Sequence, residues 1–261
     1  ATALARPFIE FIHPDDRAAT FAAFDRLKQR DSVVDFECRW LRLDGEVRHI
    51  EWRARGSGPL FYASARDVTD KRASAARIHH LSHYDQLTGL PNRLLLQQEF
   101  EHALETARRH GNGLALVYVD LDHFKAINEA LGPAMGDQLL RTLAWRLRSH
   151  LRDQDTLCRP AGDEFIVLLP GSDQRQAATT VEALLHALQE PLTLAGQEIS
   201  VGASAGIAVY PNDGDHLDGL QMAAESAMYQ AKQVGRNAIR FYSPAMQQDA
   251  ARVLALSSAL K

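Results

Sequence analysis

The stretch CRPAGDEFIVLLP, residues 158–170, sets two adjacent carboxylates, Asp163 and Glu164, directly behind a small-residue turn, Ala161-Gly162. A strand-length apolar run follows at once, so the acids stand at the mouth of a buried strand. A second stretch of the same make lies upstream. YVDLDHFKAINEALG (118–132) closes the apolar run LALVYV (114–119) with Asp120 and Asp122. Two residues apart on a strand, these two point to the same side. If strand 113–120 lies beside a hairpin about Ala161-Gly162, then Asp120 and the Asp163-Glu164 pair converge on one point. Three carboxylates brought together repel one another unless cations sit between them. Hard oxygen ligands on rigid strands suit Mg2+, held together with substrate phosphates. Clusters of this kind drive in-line displacement at phosphorus.

Other acidic stretches do not read this way. A calcium loop at Asp120 fails, because Lys125 stands where the sharp-turn glycine belongs and no bidentate Glu closes the loop. NDGDHLDG (212–219) fails likewise, with Ala224 at the closing position, and reads as an acidic surface loop. Cations alone do not hold a triphosphate. Phe124-Lys125, at the start of a short helix, offers backbone N–H groups and a positive charge. AKQVGRN (231–237) adds Lys232 and Arg236 at i and i+4 on one helical face. Alone, that pair is a solvated face; beside an acidic cluster it reads as a phosphate grip.

The surrounding pattern alternates helices and strands. Helices are expected at about 92–109, 123–131, 135–151, 174–189 and 218–234, and strands at 113–120, near 197–210 and at 237–242. Leu140, Leu143, Leu147 and Leu151 mark the buried face of the long helix. The fold class is therefore α/β with a mixed sheet, the hairpin supplying its antiparallel pair.

The first 70 residues are different. Residues 33–66 alternate as three antiparallel strands, with Val34, Phe36, Cys38 and Trp40 on one face and a hairpin signal at Asp44-Gly45. Three strands with one apolar face do not stand alone, so cover from elsewhere is expected. KRASAARIHHLSHY (71–84) reads as a helical connector, its narrow stripe Ala75, Ile78, Leu81 and Ser82 suited to pairing with a twin. His79 and His83 lie at i and i+4, but no carboxylate or thiol completes a metal set, and they read as solvated or capping residues. The tail SPAMQQDAARVLALSSALK (243–261) opens with Ser243-Pro244, a helix entrance.

Composition narrows the class. A net charge of −4, with both signs interspersed, argues against nucleic-acid and membrane-surface partners. Cys38 and Cys158 lie far apart in no ligand spacing, so a reducing, cytoplasmic setting is expected. No run approaches membrane-span length. The chain reads as a piece of a longer protein, whose membrane anchoring, if any, lies in segments outside these residues.

Two resemblances add to this reading. FIHPDDR (11–17), the Asp44-Gly45 hairpin and DVTDKR (67–72) resemble the C-terminal half of a PAS sensor domain over residues 1–70. The opening strands of that fold are not among these residues, so an incomplete ligand pocket is expected. DQLTGLPNR (85–93), DLDHFKAINEALG (120–132), GDQLL (136–140), RPAGDEF (159–165), SAGIAVYP (204–211) and AESAMYQAKQVGRN (224–237) resemble, in order and spacing, the GGDEF domain of diguanylate cyclases.

The second resemblance implies a palm-like nucleotidyl-cyclase fold. It also implies synthesis of cyclic di-GMP from two GTP molecules, each held by one domain of a facing homodimer, with Mg2+ (or Mn2+) as cofactor. It places metal ligands at Asp120, Asp163, Glu164 and the Leu121 carbonyl, and guanine readers at Asn128 and Asp137. Phosphate contacts fall on the backbone of His123 and Phe124 and on Lys125, Lys232 and Arg236. RDQD (152–155) matches the family's inhibitory product site, Arg152 and Asp155, with Arg175 the nearest candidate for its third, basic member. The implied organisation is a partial PAS domain (1–70), a connector (71–84), a GGDEF domain (85–242) and a connector (243–261) similar to one leading into an EAL phosphodiesterase domain.

The sequence departs from the family pattern at Ala161, Glu129, Pro133 and Glu225, none of them an implied metal or guanine contact. Two other functions stay open: a GTP-binding regulator of a tethered EAL phosphodiesterase, and a product receptor acting through Arg152 and Asp155.

Overall fold

The computed structural model describes residues 7–27, 33–57, 60–194 and 196–246. The chain divides into two compact units, Ala1–His80 and Leu81–Lys261.

In the first unit, short 3-10 turns at Phe8–Phe11 and Pro14–Asp16 lead into helix α1 (Arg17–Leu27). Strands β1 (Val33–Leu41), β2 (Val47–Ser57) and β3 (Leu60–Asp67) then form an antiparallel sheet in that order. Register sets Phe36 opposite Trp52 and Cys38 opposite Ile50, so the aromatic residues share one face. Cover for that face comes from within the unit. Phe11 stacks on Trp40 at 5.4 Å, and Phe8 and Phe24 pack edge-on, with Phe24 against Phe36. A hollow of about 500 Å³ remains, lined by Trp40, Trp52, Ile50, Arg48 and Asp67 among others.

The turn before α1 is clamped to β1 by charge. Asp16 accepts from the Arg39 backbone N–H (2.7 Å) and from its guanidinium (2.6 Å), which holds the Asp16 carboxyl down at about 2. A depressed folded-state pKa means that the contribution is complete above the ordinary value of 3.8 and is lost as pH falls through about 2. The fluorescence of Trp40 and Trp52 should therefore report loosening of this unit in that window. In Asp16→Asn the clamp is already weak at neutral pH and the acid step should disappear. An unchanged acid step in that variant would remove the clamp from the account.

Helix α2 (Thr69–His83) follows, its first turn capped by Asp67 accepting from the Thr69 N–H at 2.9 Å. Ile78 and Leu81, from the expected stripe, are exposed.

The second unit holds a five-stranded sheet ordered β10-β9-β4-β6-β5. Central strand β4 (Leu114–Leu121) is buried along its whole length. It pairs antiparallel with β6 (Glu164–Pro170) on one side and β9 (Ala203–Tyr210) on the other. Beyond them lie β5 (Thr156–Cys158), antiparallel to β6, and β10 (Ile239–Phe241), parallel to β9. Alternate residues of β4 feed two cores. Val117 and Val119 join α5 (Pro133–Ser149) and α6 (Gln174–Gln189) through Leu139, Leu143, Leu147, Val181 and Leu184. Leu116 and Tyr118 join α3 (Arg93–His110) and α7 (Leu217–Gln233) on the opposite face.

Local chemistry sets the ends of these helices. Asn92 caps α3 by accepting from the Leu94 and Leu95 N–H groups, and Asp173 with Gln176 forms a capping box on α6. Pro133 occupies the first turn of α5, where its missing N–H costs nothing. This departure from the family pattern is thus structurally neutral.

One expected element is corrected. The run near 197–210 is not a single strand: β8 (Gln197–Ile199) turns back on β7 (Leu192–Leu194) as a separate hairpin. The chain then passes through Ser200, Val201 and Gly202 before β9 begins. Of the expected tail helix, Pro244–Met246 is helical, and residues 247–261 lie outside the described residues.

Candidate active site

Asp120 stands one residue before the end of β4, directly opposite Glu164 at the first position of β6. The Leu121 N–H donates to the Asp163 carbonyl at 3.2 Å, which joins the acidic turn to the end of β4. The acids thus share one sheet end, and Asp120 and Glu164 each have a partner of their own. Glu164 accepts from the Tyr118 hydroxyl at 2.8 Å, and the Lys232 Nζ, from the last turn of α7, approaches Asp120 Oδ1 to 2.5 Å. That approach is a close, charge-assisted ion pair to a buried carboxylate oxygen. Among the described residues, no three acidic, histidine or cysteine side chains gather at metal-ligand spacing.

The electrostatics identify what this end of the sheet lacks. Burial pushes the Asp120 carboxyl above its usual range, Lys232 opposes this, and the charges of Asp163 and Glu164 add to it. Burial, followed by the bond to Glu164, raises the Tyr118 phenol, which stays a protonated donor. Three carboxylates at one sheet end, one of them buried with a lysine as its sole ion-pair partner among the described residues, supply hard oxygen donors that fit a divalent cation.

The turn that carries the acids is fixed by a second, buried ion pair. Arg159 donates through Nε and Nη2 to the Gly162 carbonyl (3.0 and 2.6 Å) and through Nη1 to Asp85 Oδ1 (2.7 Å). Asp85 also accepts from the Thr88 N–H and hydroxyl. Burial alone would raise the Asp85 carboxyl; the donors from Thr88 and Arg159 outweigh it and hold it below the usual range. Gly162 takes the left-handed conformation (φ +57°), and Ala161 does not have positive φ. The alanine therefore carries no backbone strain, and the glycine that the turn requires is present.

Asn128, near the end of α4 (Phe124–Leu131), buries an Oδ1 that makes no hydrogen bond. It lies against Gly136, where an added Cβ would stand 1.7 Å from that oxygen. Asp137 follows, exposed on α5. His123 enters α4 at φ +60° and Phe124 is buried. Lys125 extends into solvent beside Glu129, 3.8 Å away, and makes no contact with the acids. Arg236 lies just beyond α7, exposed, at φ +62°.

The Arg152–Asp155 turn is a separate feature. The Arg152 N–H donates to Asp155 Oδ2 at 3.0 Å, and Arg148 donates to both residues' carbonyls. Asp155 is buried, and its Oδ1 has no hydrogen bond. It borders a hollow of about 400 Å³ that Arg148, Tyr84 and Glu99 also line.

Sequence reasoning gave no role to Tyr118, Asp85, Thr88, Arg159 or Gly136. Tyr118 had a weak signal, since it lies two residues before Asp120 on the strand. The structure also corrects the reading of Asp120 and Asp122 as neighbours on one side of a strand. Asp122 lies past the end of β4 and turns to other partners.

Fold, acidic sheet end and clamped turn together define a nucleotidyl-cyclase-like domain that follows a sensor-like sheet in the chain. The chain belongs to the GGDEF family: residues 82–238 match the family described as diguanylate cyclase, GGDEF domain, and residues 2–58 match a PAS fold. Among its relatives, the cyclic di-GMP phosphodiesterase NbdA of Pseudomonas aeruginosa is 42% identical over 168 residues, covering 64% of this chain and 22% of that protein. The bifunctional diguanylate cyclase/cyclic di-GMP phosphodiesterase MucR of the same organism is 41% identical over 176 residues, covering 67% and 26%. A solved GGDEF domain of TpbB, also from P. aeruginosa, superposes with a TM-score of 0.63 at 36% identity, covering 65% of this chain and 99% of that one. The chain spans about a quarter of the length of the first two relatives.

Proposed function

We propose that this protein is a diguanylate cyclase that condenses two GTP molecules into cyclic di-GMP as a homodimer of GGDEF domains. The observation that carries this reading is the Asp120–Glu164 cross-strand pair, with Asp163 beside it and Lys232 as its counter-ion. The 3′-hydroxyl of each GTP loses its proton to solvent, and its oxygen forms a bond to the α-phosphorus of the other. The α–β bridging P–O bond breaks, and one pyrophosphate leaves at each of the two steps. Asp120, Asp163, Glu164 and the Leu121 carbonyl would hold Mg2+ (or Mn2+), which when bound stabilises charge on the attacking and leaving oxygens. Asn128 and Asp137 read the guanine edge. Lys232, Arg236, Lys125 and the backbone of His123 and Phe124 hold the triphosphate. Each domain carries one GTP and half of the reacting atoms, so the reaction needs two copies.

The proposed organisation is a partial PAS sensor (1–70), a connector (71–84), the GGDEF domain (85–242) and a connector (243–261) towards a further, EAL-type domain, with the PAS part controlling the cyclase. We place the protein in the cytoplasm, with any membrane anchor in other segments of the parent. Among the described residues no helix is long and apolar enough to cross a membrane. Arg152 and Asp155 form the inhibitory product site, and the bare Asp155 oxygen beside the hollow supports this.

The test is incubation of the purified chain, as isolated and artificially dimerised, with GTP and Mg2+. Cyclic di-GMP and pyrophosphate should accumulate in a 1:2 ratio, and Arg152→Ala should stay active longer as product builds up. No product from either form would defeat the reading. The phosphodiesterase name of NbdA favours one alternative, a GTP-sensing domain that controls a tethered EAL phosphodiesterase. It predicts GTP binding without turnover.

A further inference from the structure

Asp122 is 7% exposed and uses both carboxylate oxygens. Oδ1 accepts from the Ser204 hydroxyl on β9 at 2.8 Å, and Oδ2 accepts from the Asn237 backbone N–H at 2.8 Å. Asn237 and its neighbour Arg236 are both left-handed, at φ +46° and +62°. Asparagine tolerates this region but arginine disfavours it, and two such residues in succession persist only where the surroundings hold them. The carboxylate is the charged member of that hold. Gln189 adds a neutral bond to the Asn237 side chain, and the Arg236 N–H bonds to Ala231 in the last turn of α7. That turn carries Lys232.

We propose that Asp122 is a positioning residue: its carboxylate fixes the left-handed Arg236–Asn237 corner against β9 and thereby places the Arg236 guanidinium for a nucleotide triphosphate. The two aspartates of the D-L-D stretch then divide the work. Asp120 faces the cation site, and Asp122 orders the phosphate grip that arrives from 115 residues away in the chain. The inference rests on the GTP-binding reading above and extends it to how the grip is held.

The experiment measures affinity of the whole chain for a non-hydrolysable GTP analogue by calorimetry and for guanosine by ligand-observed NMR, at fixed Mg2+. Asp122→Asn keeps shape but presents an amide N–H to one of two donors, and should weaken the analogue about tenfold, the value of one charge-assisted bond. Guanosine affinity should not change, because Asn128 and Asp137 lie elsewhere. Ser204→Ala, a smaller change, should weaken the analogue about threefold on the scale of a neutral bond. In Arg236→Ala the added Asp122→Asn should cost nothing further, since residues acting through one another are not additive. Unchanged analogue affinity in Asp122→Asn, equal losses for analogue and guanosine, or additive losses with Arg236→Ala would each overturn the proposal. Failure of the unmodified chain to bind the analogue at all would instead remove the GTP reading, and this inference with it.

Discussion

Glu164→Gln is expected to lower cyclic di-GMP formation at least about a thousandfold, the loss of several kcal/mol of charge stabilisation at a reacting phosphorus. The variant should nonetheless fold normally. Glutamine has the same shape, and its carbonyl oxygen can still accept from the Tyr118 hydroxyl, now 2.8 Å from Glu164 Oε2. The β6 ladder opposite Asp120 uses backbone groups and is indifferent to the side-chain charge. What disappears is one of three negative charges at a sheet end where burial already strains Asp120 and Lys232 supplies the counter-charge. The measurement is product formation by chromatography beside thermal melting of both proteins. Retention of a tenth of the parent rate with an unchanged melt would mean that Glu164 is no ligand and that the acidic sheet end is structural.

Gly136→Ala is expected to weaken GTP about a hundredfold and to collapse the preference for GTP over ATP, with little change in stability. The new methyl carbon would lie 1.7 Å from Asn128 Oδ1 and 2.8 Å from its Cγ, so the amide must swing out of its niche. That oxygen is buried without a hydrogen bond, and on the proposed reading moving it leaves part of the guanine edge unpaired. Stability is a balance of opposite effects. Alanine favours a helix interior over glycine by about 1 kcal/mol, which offsets the displaced contact. KM for GTP and for ATP, with melting curves, separate the two. Asn128→Ala should give the same shift, and the double variant should add little to it. An unchanged KM in Gly136→Ala would show that Asn128 does not read the base.

Legibility followed the range of the interactions. The alternation that makes β1 and β2, the leucine spacing of α5 and the apolar run of β4 are written within a few residues, because side-chain periodicity depends on near neighbours. Asp120, Asp163 and Glu164 could be singled out because buried strands rarely end in acids without a reason. The break between β8 and β9 was not legible: residues 197–210 can extend as one strand, and only the pairing of β8 with β7 diverts them. Cover for the first sheet depended on Phe8, Phe11 and Phe24, whose direction no local pattern sets.

By itself, then, the sequence determined an α/β domain of the GGDEF family behind a PAS-like sheet, and the acids at the end of two buried strands. The tertiary structure alone decided how that end is held. Arg159 meets Asp85 across 74 residues, Tyr118 meets Glu164 across 46, and Asp122 meets Asn237 across 115. It also decided that Ala161 carries no backbone strain, since positive φ falls on Gly162. The physical reason is the same in each case. A hydrogen bond or ion pair forms only when both partners are within about 3 Å of each other, and for residues this far apart in the chain that proximity comes from packing.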